Sequence, residues 1–151
     1  MKILMVCLGN ICRSPLAQGI LEAKVDSKTI TVDSAGTSGH HEGELPDVRS
    51  IKIAKDYGLD ITNQRSRKFT IADFDKFDLI YTMDDSNYHN VLQLCRTKND
   101  AAKVKMILNE THPGKNLNVP DPYYGGEQGF ENVYKMLEEA CEIIASKINT
   151  P

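Results

Sequence analysis

The sequence predicts one α/β domain with a parallel β-sheet and helices on both of its faces. Short apolar or β-branched runs alternate along the chain with segments whose apolar residues follow helical spacing. This alternation is typical of βαβ units, in which a crossover helix joins parallel strands. At 151 residues with 40% hydrophobic content, the chain has the size of one domain with one core. We therefore expect a single domain over residues 1–151.

Four strands are predicted. The short apolar run at residues 1–6 is typical of a fully buried strand, and β-branched residues over 29–32 indicate a second. The third and fourth strands are predicted over residues 78–83 and 104–108. Because helical segments separate these strands, the sheet is expected to be four-stranded and parallel.

Helical spacing defines four segments between and after the strands. In the first of them, residues 14–25, Ser14 has the character of an N-cap, and Pro15 suits the first helical position because its φ is already set. The other helices are predicted from residue 46 or 47 to 57, from residue 84 or 85 to 94, and over 128–148.

Two loops are candidates for function. Residues 34–43 form a loop of small residues after the second strand, and residues 110–126 form a long loop rich in proline and glycine. Ligands of parallel sheets bind beyond the carboxyl ends of the strands. We expect these loops to converge there.

Charge and composition exclude several classes of protein. The net charge is −3 and the pI is about 5.8, whereas a non-specific nucleic-acid binder needs a basic surface. The early apolar stretch at residues 3–8 is too short for a membrane span or a signal-peptide core. The four cysteines match no disulfide scaffold and no paired zinc-ligand set. These observations predict a cytoplasmic protein with reduced thiols and with no nucleic-acid or membrane partner.

The most informative segment is residues 7–15, Cys-Leu-Gly-Asn-Ile-Cys-Arg-Ser-Pro, between the first strand and the first helix. A tight turn at a helix N-terminus directs backbone N–H groups and the positive end of the helix dipole at one point, which suits a phosphate. Cys7 and Arg13 would face that anion, so covalent chemistry is possible. Their spacing alone is weak evidence, but Gly9 and the preceding strand strengthen it. The alternative is that Cys7 is a buried thiol at the end of a strand.

These nine residues, together with Asp121-Pro122-Tyr123-Tyr124, resemble the low-molecular-weight protein tyrosine phosphatase family. The similarity extends through residues 33–38 and 82–84, and so covers essentially the whole chain. It implies a four-stranded parallel sheet flanked by helices and hydrolysis of phosphotyrosine or aryl phosphates through a phosphocysteine. No cofactor is expected.

The resemblance implies a role for each matching residue. Cys7 would be the nucleophile, and Arg13 would grip two phosphate oxygens with its planar fork. Ser14 would donate a hydrogen bond to the Cys7 sulfur, and Asp121 would act as general acid and then as general base. The phosphate-binding loop would consist of Leu8, Gly9, Asn10, Ile11, Cys12, Arg13 and Ser14.

Other positions would shape the loop and the substrate pocket. Asn10 is expected in a left-handed backbone conformation, tied to Ser34. Tyr123 and Tyr124 would form an aromatic wall around the substrate ring. Two positions depart from the family: His40 stands where many members have a substrate-facing aromatic, and Gln64 where many have a histidine that supports the active-site loop.

The remaining cysteines and histidines have separate interpretations. Cys12 lies in the same loop as Cys7 and would act as its redox partner, forming a reversible disulfide under peroxide. Cys95 and Cys141 are predicted core residues. The histidines show no metal-ligand spacing, so no metal is expected.

Two alternatives remain open. A thioredoxin-coupled arsenate reductase shares the fold and a similar loop, but it needs two further relay cysteines, and Cys95 alone lies in the relevant region. A non-catalytic phosphotyrosine-binding module usually lacks the nucleophile or the acid, whereas this chain has candidates for both. We also expect a monomer, because no large apolar stripe remains after the core is assigned.

Overall fold

The structure is a computed structural model that describes residues 1–149. Its four strands form one parallel sheet in the order β2-β1-β3-β4, which confirms the predicted fold class. The strands are β1 (Lys2–Cys7), β2 (Thr31–Gly36), β3 (Leu79–Thr82) and β4 (Val104–Met106).

Within residues 1–149, six helices accompany the sheet: α1 (Arg13–Glu22), α2 (Val48–Asp56), α3 (Asp73–Lys76), α4 (Asp85–Leu92), α5 (Lys98–Lys103) and α6 (Gly126–Ile148). Of these, α3 and α5 were not predicted, because four and six residues are too few to show helical periodicity. Two 3-10 turns cover Ile107–Asn109 and Pro122–Tyr124.

Several boundaries differ from the predicted ones for local reasons. The second strand begins later than expected, because Asp26 organises a turn in which its carbonyl accepts from the N–H groups of Thr29 and Ile30. The fourth strand ends at Met106, where the chain enters a 3-10 turn. The cap of α4 is Asp84, whose carboxylate accepts from the N–H of Asn87 at 2.8 Å.

Alternate residues of β1 enter two cores on opposite faces of the sheet. Ile3 and Met5 belong to the larger cluster, which is closed by α1 and α6, whereas Leu4 and Val6 belong to the smaller one with Phe74. Burial on both faces of the sheet explains why residues 3–6 of this strand are all apolar. Cys141 is fully buried in the larger cluster, as predicted, and Cys95 packs half-buried against the smaller one.

The parallel order brings the carboxyl ends of β1, β2 and β3 to one edge of the sheet. Cys7 stands opposite Gly36, and Val6 stands opposite Thr82. The loops that follow these strands therefore meet at this edge. In residues 1–149 no helix has the length and apolar character that a membrane span requires.

Candidate active site

Residues 7–14, here called the anion loop, bend from the end of β1 into α1. Gly36 on the neighbouring strand is required by close approach, because a Cβ there would lie 2.7 Å from the carbonyl oxygen of Leu8. Most of the loop lines a cavity of about 220 Å³. Three residues from other segments complete this lining: His41, Asp121 and Tyr123.

The outside of the anion loop is held by hydrogen bonds to its carbonyl groups. Three backbone N–H groups donate to it: Thr37 to the carbonyl of Cys7, Ser38 to that of Leu8, and Asp47 to that of Ile11, at 2.8 to 2.9 Å. Two hydroxyls also donate: Ser50 to the carbonyl of Cys12 at 3.3 Å, and Ser66 to that of Gly9 at 3.0 Å. In a trans peptide the N–H points opposite to the preceding carbonyl. The N–H groups that follow these carbonyls therefore turn toward the inside of the loop, where an anion can accept from them.

Asn10 fixes the bend of the loop. Its φ is 56°, the left-handed conformation predicted from the sequence, and its side chain is buried. Its Nδ2 donates to the hydroxyls of Ser14 at 2.8 Å and Ser34 at 2.9 Å, and its Oδ1 accepts from the N–H of Arg67 at 3.0 Å. The expected tie to Ser34 is therefore present.

Ser14 does not cap α1, contrary to the prediction. The helix already begins at Arg13, with Cys12 at the N-cap position, and no side chain caps it. The Ser14 hydroxyl instead lies 3.0 Å from the Sγ of Cys7. Because that hydroxyl accepts from Asn10, its own hydrogen is available to the sulfur. Such a donor stabilises a thiolate.

Arg13 is buried beneath the cavity, with 3% of its side chain exposed. Its Nη1 donates to Oδ2 of Asp84 at 2.7 Å and to the carbonyl of Val119 at 2.9 Å. Burial by itself lowers the pKa of Arg13, but the neighbouring charges of Cys7 and Asp84 hold that pKa above its usual value. The guanidinium is thus a permanent positive charge in a fixed orientation.

Asp121 stands at the mouth of the cavity. Its Oδ2 is 3.9 Å from Nη2 of Arg13, and its Oδ1 accepts from the N–H of Tyr123 at 3.0 Å. The carboxylate is 42% exposed, so it can reach both a ligand and water. Tyr123 lines the cavity as expected, whereas the side chain of Tyr124 lies outside the described part of the chain.

His41, and not His40, lines the cavity. A turn closed by the N–H of Glu42 and the carbonyl of Gly39 leaves His40 exposed and places the ring of His41 over Gly9. The His41 Nδ1 lies 2.7 Å from a carboxylate oxygen of Glu44, which holds the ring there. The sequence contains two adjacent histidines, and their spacing alone does not indicate which of them lines the cavity.

Cys12 is the second buried thiol of the anion loop. Burial, followed by the negative charge of Asp47, raises the pKa of Cys12 to about 12. Cys12 therefore carries its proton at neutral pH, and a protonated thiol is a poor nucleophile.

The roles of some residues at the site were not predicted from the sequence. From the sequence, Asp84 is one of two candidate first residues of a helix, although its position after a strand that ends at the same edge is a signal for a site residue. Asp47 and Arg49, described below, have no comparable signal. Gln64 is buried and donates to the carbonyl of Pro15 at 3.0 Å, so it supports the first turn of α1.

Among residues 1–149, no group of three or more His, Cys, Asp or Glu side chains is arranged to hold a metal ion. What the site does hold is a thiol, a guanidinium, inward N–H groups and an exposed carboxylate. This arrangement can bind a phosphate, attack it and exchange a proton with a leaving group.

Comparison with known proteins agrees with this chemistry. The family model described as low molecular weight phosphotyrosine protein phosphatase matches residues 2–151. A putative low molecular weight protein-tyrosine-phosphatase from Synechocystis is 47% identical over 145 residues, which cover 93% of this chain and 92% of that protein. The human low molecular weight phosphotyrosine protein phosphatase is 37% identical over 151 residues, with 97% and 94% of the two chains covered.

Among solved structures, a protein tyrosine phosphatase from Entamoeba histolytica that holds Hepes in its active site superimposes with a TM-score of 0.91. Its sequence is 39% identical, and the alignment covers 98% of this chain and 96% of the other. Fold and sequence similarity therefore extend over the same nearly complete length.

Proposed function

Because the chain belongs to the low molecular weight phosphotyrosine protein phosphatase family, we propose that it hydrolyses phosphotyrosine and aryl phosphates through a phosphocysteine on Cys7. The observation that carries the proposal is the position of the Cys7 sulfur. Cys7 begins a loop whose N–H groups turn inward, and its sulfur lies 3.0 Å from the Ser14 hydroxyl. The proposal treats residues 1–151 as one catalytic domain.

In the first step, the anion loop and Arg13 bind the phosphate dianion and position its phosphorus near the Cys7 thiolate. The sulfur attacks the phosphorus, so that a sulfur–phosphorus bond forms while the bond to the aryl oxygen breaks. Asp121 gives its proton to the departing oxygen, and tyrosine or a phenol leaves. Arg13 and the loop N–H groups stabilise the charge on the equatorial oxygens in the transition state.

In the second step, water attacks the phosphocysteine. Asp121, now a carboxylate, takes a proton from this water, and its exposure to solvent supports that role. The sulfur–phosphorus bond breaks, inorganic phosphate forms, and Cys7 returns as a thiolate. The hydrogen bond from Ser14 stabilises this leaving sulfur.

The walls of the cavity would set the preference for an aromatic substrate. Tyr123 lines one part, and His41 lies over Gly9 with Glu44 behind it. We assign to His41 the wall position that was predicted for His40. An aryl ring between such walls lets its phosphate reach Cys7, whereas the shorter phosphoserine does not reach as far.

The test is the hydrolysis of a phosphotyrosine peptide at mildly acidic pH, under reducing conditions, by the wild type, Cys7→Ser and Asp121→Asn. We expect turnover by the wild type, none by Cys7→Ser, and a loss on the order of a hundredfold in Asp121→Asn. Phosphoserine peptide is the control substrate and should react poorly. An inactive wild type, or equal turnover by Cys7→Ser, would contradict the proposal and direct attention to arsenate reduction or phosphopeptide binding.

The cellular setting is also proposed. The enzyme would act on phosphotyrosine proteins in the cytoplasm as a monomer, without a nucleic-acid or membrane partner. The net charge of −3 supports the lack of affinity for nucleic acid. Sedimentation tests the oligomeric state, and a stable dimer at micromolar concentration would contradict it.

A further inference from the structure

Arg49 joins the two sides of the active site without lining its cavity. It lies in the first turn of α2, and its Nη1 donates to the carbonyl oxygen of Tyr123 at 2.8 Å. Its guanidinium carbon is 5.1 Å from the ring centroid of Tyr123 and 4.7 Å from that of Phe130, within cation–π range of both. Arg49 thus contacts the segment that carries Asp121 and the start of α6, which follows it.

The guanidinium of Arg49 is itself held by Asp47. Its Nε donates to Oδ1 and its Nη2 to Oδ2 of that carboxylate, both at 3.0 Å. The hydrogen bonds from Arg49 lower the pKa of Asp47 and so favour the charged carboxylate. A two-bond pairing of this kind fixes the plane of the guanidinium.

Asp47 also contacts the anion loop, because its backbone N–H donates to the carbonyl of Ile11 at 2.8 Å. A continuous series of hydrogen bonds therefore leads from Ile11 through Asp47 and Arg49 to Tyr123. It joins the loop that holds the nucleophile to the short 3-10 turn Pro122–Tyr124, whose N-cap is Asp121. These two segments are more than 100 residues apart in sequence.

We propose that Arg49 is a positioning residue that sets the distance between the Asp121 carboxyl and the Cys7 sulfur. This inference rests on the proposed function, because it concerns the placement of Asp121, the general acid of the proposed reaction. Asp121 needs such support because its carboxylate is 42% exposed and its nearest cation, Nη2 of Arg13, is 3.9 Å away. The Tyr123 carbonyl, two residues along the chain, is where Arg49 holds the segment.

The consequence concerns the leaving group. A displaced Asp121 donates its proton less well, and this matters for a phenol whose pKa is about 10 but little for an acidic nitrophenol. The ratio kcat/KM reports the first chemical step. We expect Arg49→Gln to lower kcat/KM for phenyl phosphate by about tenfold to a hundredfold, in keeping with the cost of a displacement of about 1 Å. For 2,4-dinitrophenyl phosphate we expect kcat/KM to stay close to wild type.

Three comparisons identify the cause. In an Asp121→Asn background, Arg49→Gln should cause no further loss with phenyl phosphate, because the group that it positions is gone. Arg49→Lys keeps the charge without the planar fork and should show the same leaving-group-dependent loss. Lys52→Gln removes a positive charge from the same helix, where Lys52 pairs with Asp56 on the surface, and should leave kcat/KM unchanged.

The proposal is overturned if Arg49→Gln lowers kcat/KM equally for both phosphates, or does not lower it at all. It is also overturned if Arg49→Lys has the kcat/KM of the wild type, or if Arg49→Gln still lowers kcat/KM in the Asp121→Asn background. Thermal unfolding of each variant establishes that the kinetics refer to folded protein. Wild type that hydrolyses neither phosphate would refute the proposed function itself. If the wild type is active but the loss of kcat/KM in the Arg49 variants does not depend on the leaving group, only the positioning role is refuted.

Discussion

Arg13 and Asp84 form an ion pair with an Nη1 to Oδ2 distance of 2.7 Å, although 71 residues separate them along the chain. Asp84 uses its other oxygen to accept from the N–H of Asn87, which caps α4. One carboxylate therefore orients the guanidinium and anchors a helix. The pair ties the carboxyl end of β3 to the first residue of α1.

We expect Asp84→Asn to lower kcat/KM for phosphotyrosine peptide by about tenfold to a hundredfold, because Arg13 loses the charge that orients it. The free energy of unfolding should fall by about 2 kcal/mol, since a buried guanidinium loses its counter-charge while asparagine can still cap the helix. Asp85→Asn, at an exposed neighbouring position, is the control. Equal kinetics in the two variants would contradict the orienting role.

Asn10→Ala tests the bend of the anion loop. The variant loses three hydrogen bonds and places a side chain without local bonds in a left-handed conformation, so we expect a loss of about 3 kcal/mol in stability. We also expect kcat/KM to fall by about a hundredfold. Asn116→Ala is a matched control, because Asn116 has a similar φ of 52° on the surface. It should lose stability and keep full activity, and a comparable kinetic loss there would argue against a specific role for Asn10.

The two adjacent histidines allow a direct test of the substrate wall. His41→Ala should raise KM for a phosphotyrosine peptide by about threefold to tenfold, because the ring beside Gly9 is removed from the cavity. His40→Ala should leave KM unchanged, since His40 is exposed and outside the lining. Steady-state kinetics with peptides measures both. The reverse order of effects would restore the original assignment of His40.

Cys12→Ser should weaken recovery from peroxide. Peroxide converts the Cys7 thiolate to a sulfenic acid, and the Cys12 thiol can condense with it to a disulfide with release of water. Because the pKa of Cys12 is raised to about 12, we expect this condensation to accelerate as the pH rises. Activity after dithiothreitol is the measurement, with Cys95→Ser as the control. Equal recovery of Cys12→Ser and wild type would exclude a protective role.

Asp47 should contribute to stability in a pH-dependent manner. Hydrogen bonds from Arg49 hold its folded pKa below the ordinary value of 3.8, so its contribution is complete above that value and is lost as the pH falls through the folded pKa. We expect Asp47→Asn to lower the free energy of unfolding by about 1 kcal/mol at neutral pH, with a smaller difference in strong acid. Urea unfolding across this range is the measurement. A difference that grows toward low pH would contradict the assignment.

The sequence was most informative where the site is contiguous. Cys7, Asn10 and Arg13 lie within one short loop, so their spacing, the preceding strand and the following helix predicted the location of the loop. The alternation of strands and helices along the chain predicted the fold class. Local rules were less successful at Ser14, whose hydroxyl contacts the Cys7 sulfur and not the helix N-terminus. N-cap preferences describe an isolated helix end, and here a buried anion site competes for the same hydroxyl.

The roles that Asp84, His41 and Arg49 take through their tertiary partners were not predictable from the sequence. Each depends on a contact with a residue more than thirty positions away, and short-range periodicity contains no information about such pairs. The choice of His41 over His40 depends on one turn after Gly39. The distribution of roles around the anion loop is therefore a property of the tertiary fold.

The hydrogen bonds on the outside of the anion loop also affect the thermodynamics of folding and catalysis. Ser50 and Ser66 donate to carbonyls 38 and 57 residues earlier in the chain, so the loop becomes ordered only when distant segments have assembled. Ordering the backbone costs about 1 to 2 kcal/mol per residue in lost conformational entropy. In the anion loop this cost arises during folding and not when the substrate binds. The N–H dipoles of the anion loop are then already oriented and need not reorganise when the phosphate of a substrate binds. We expect inorganic phosphate, as a ligand of the native state alone, to shift the equilibrium toward the folded chain.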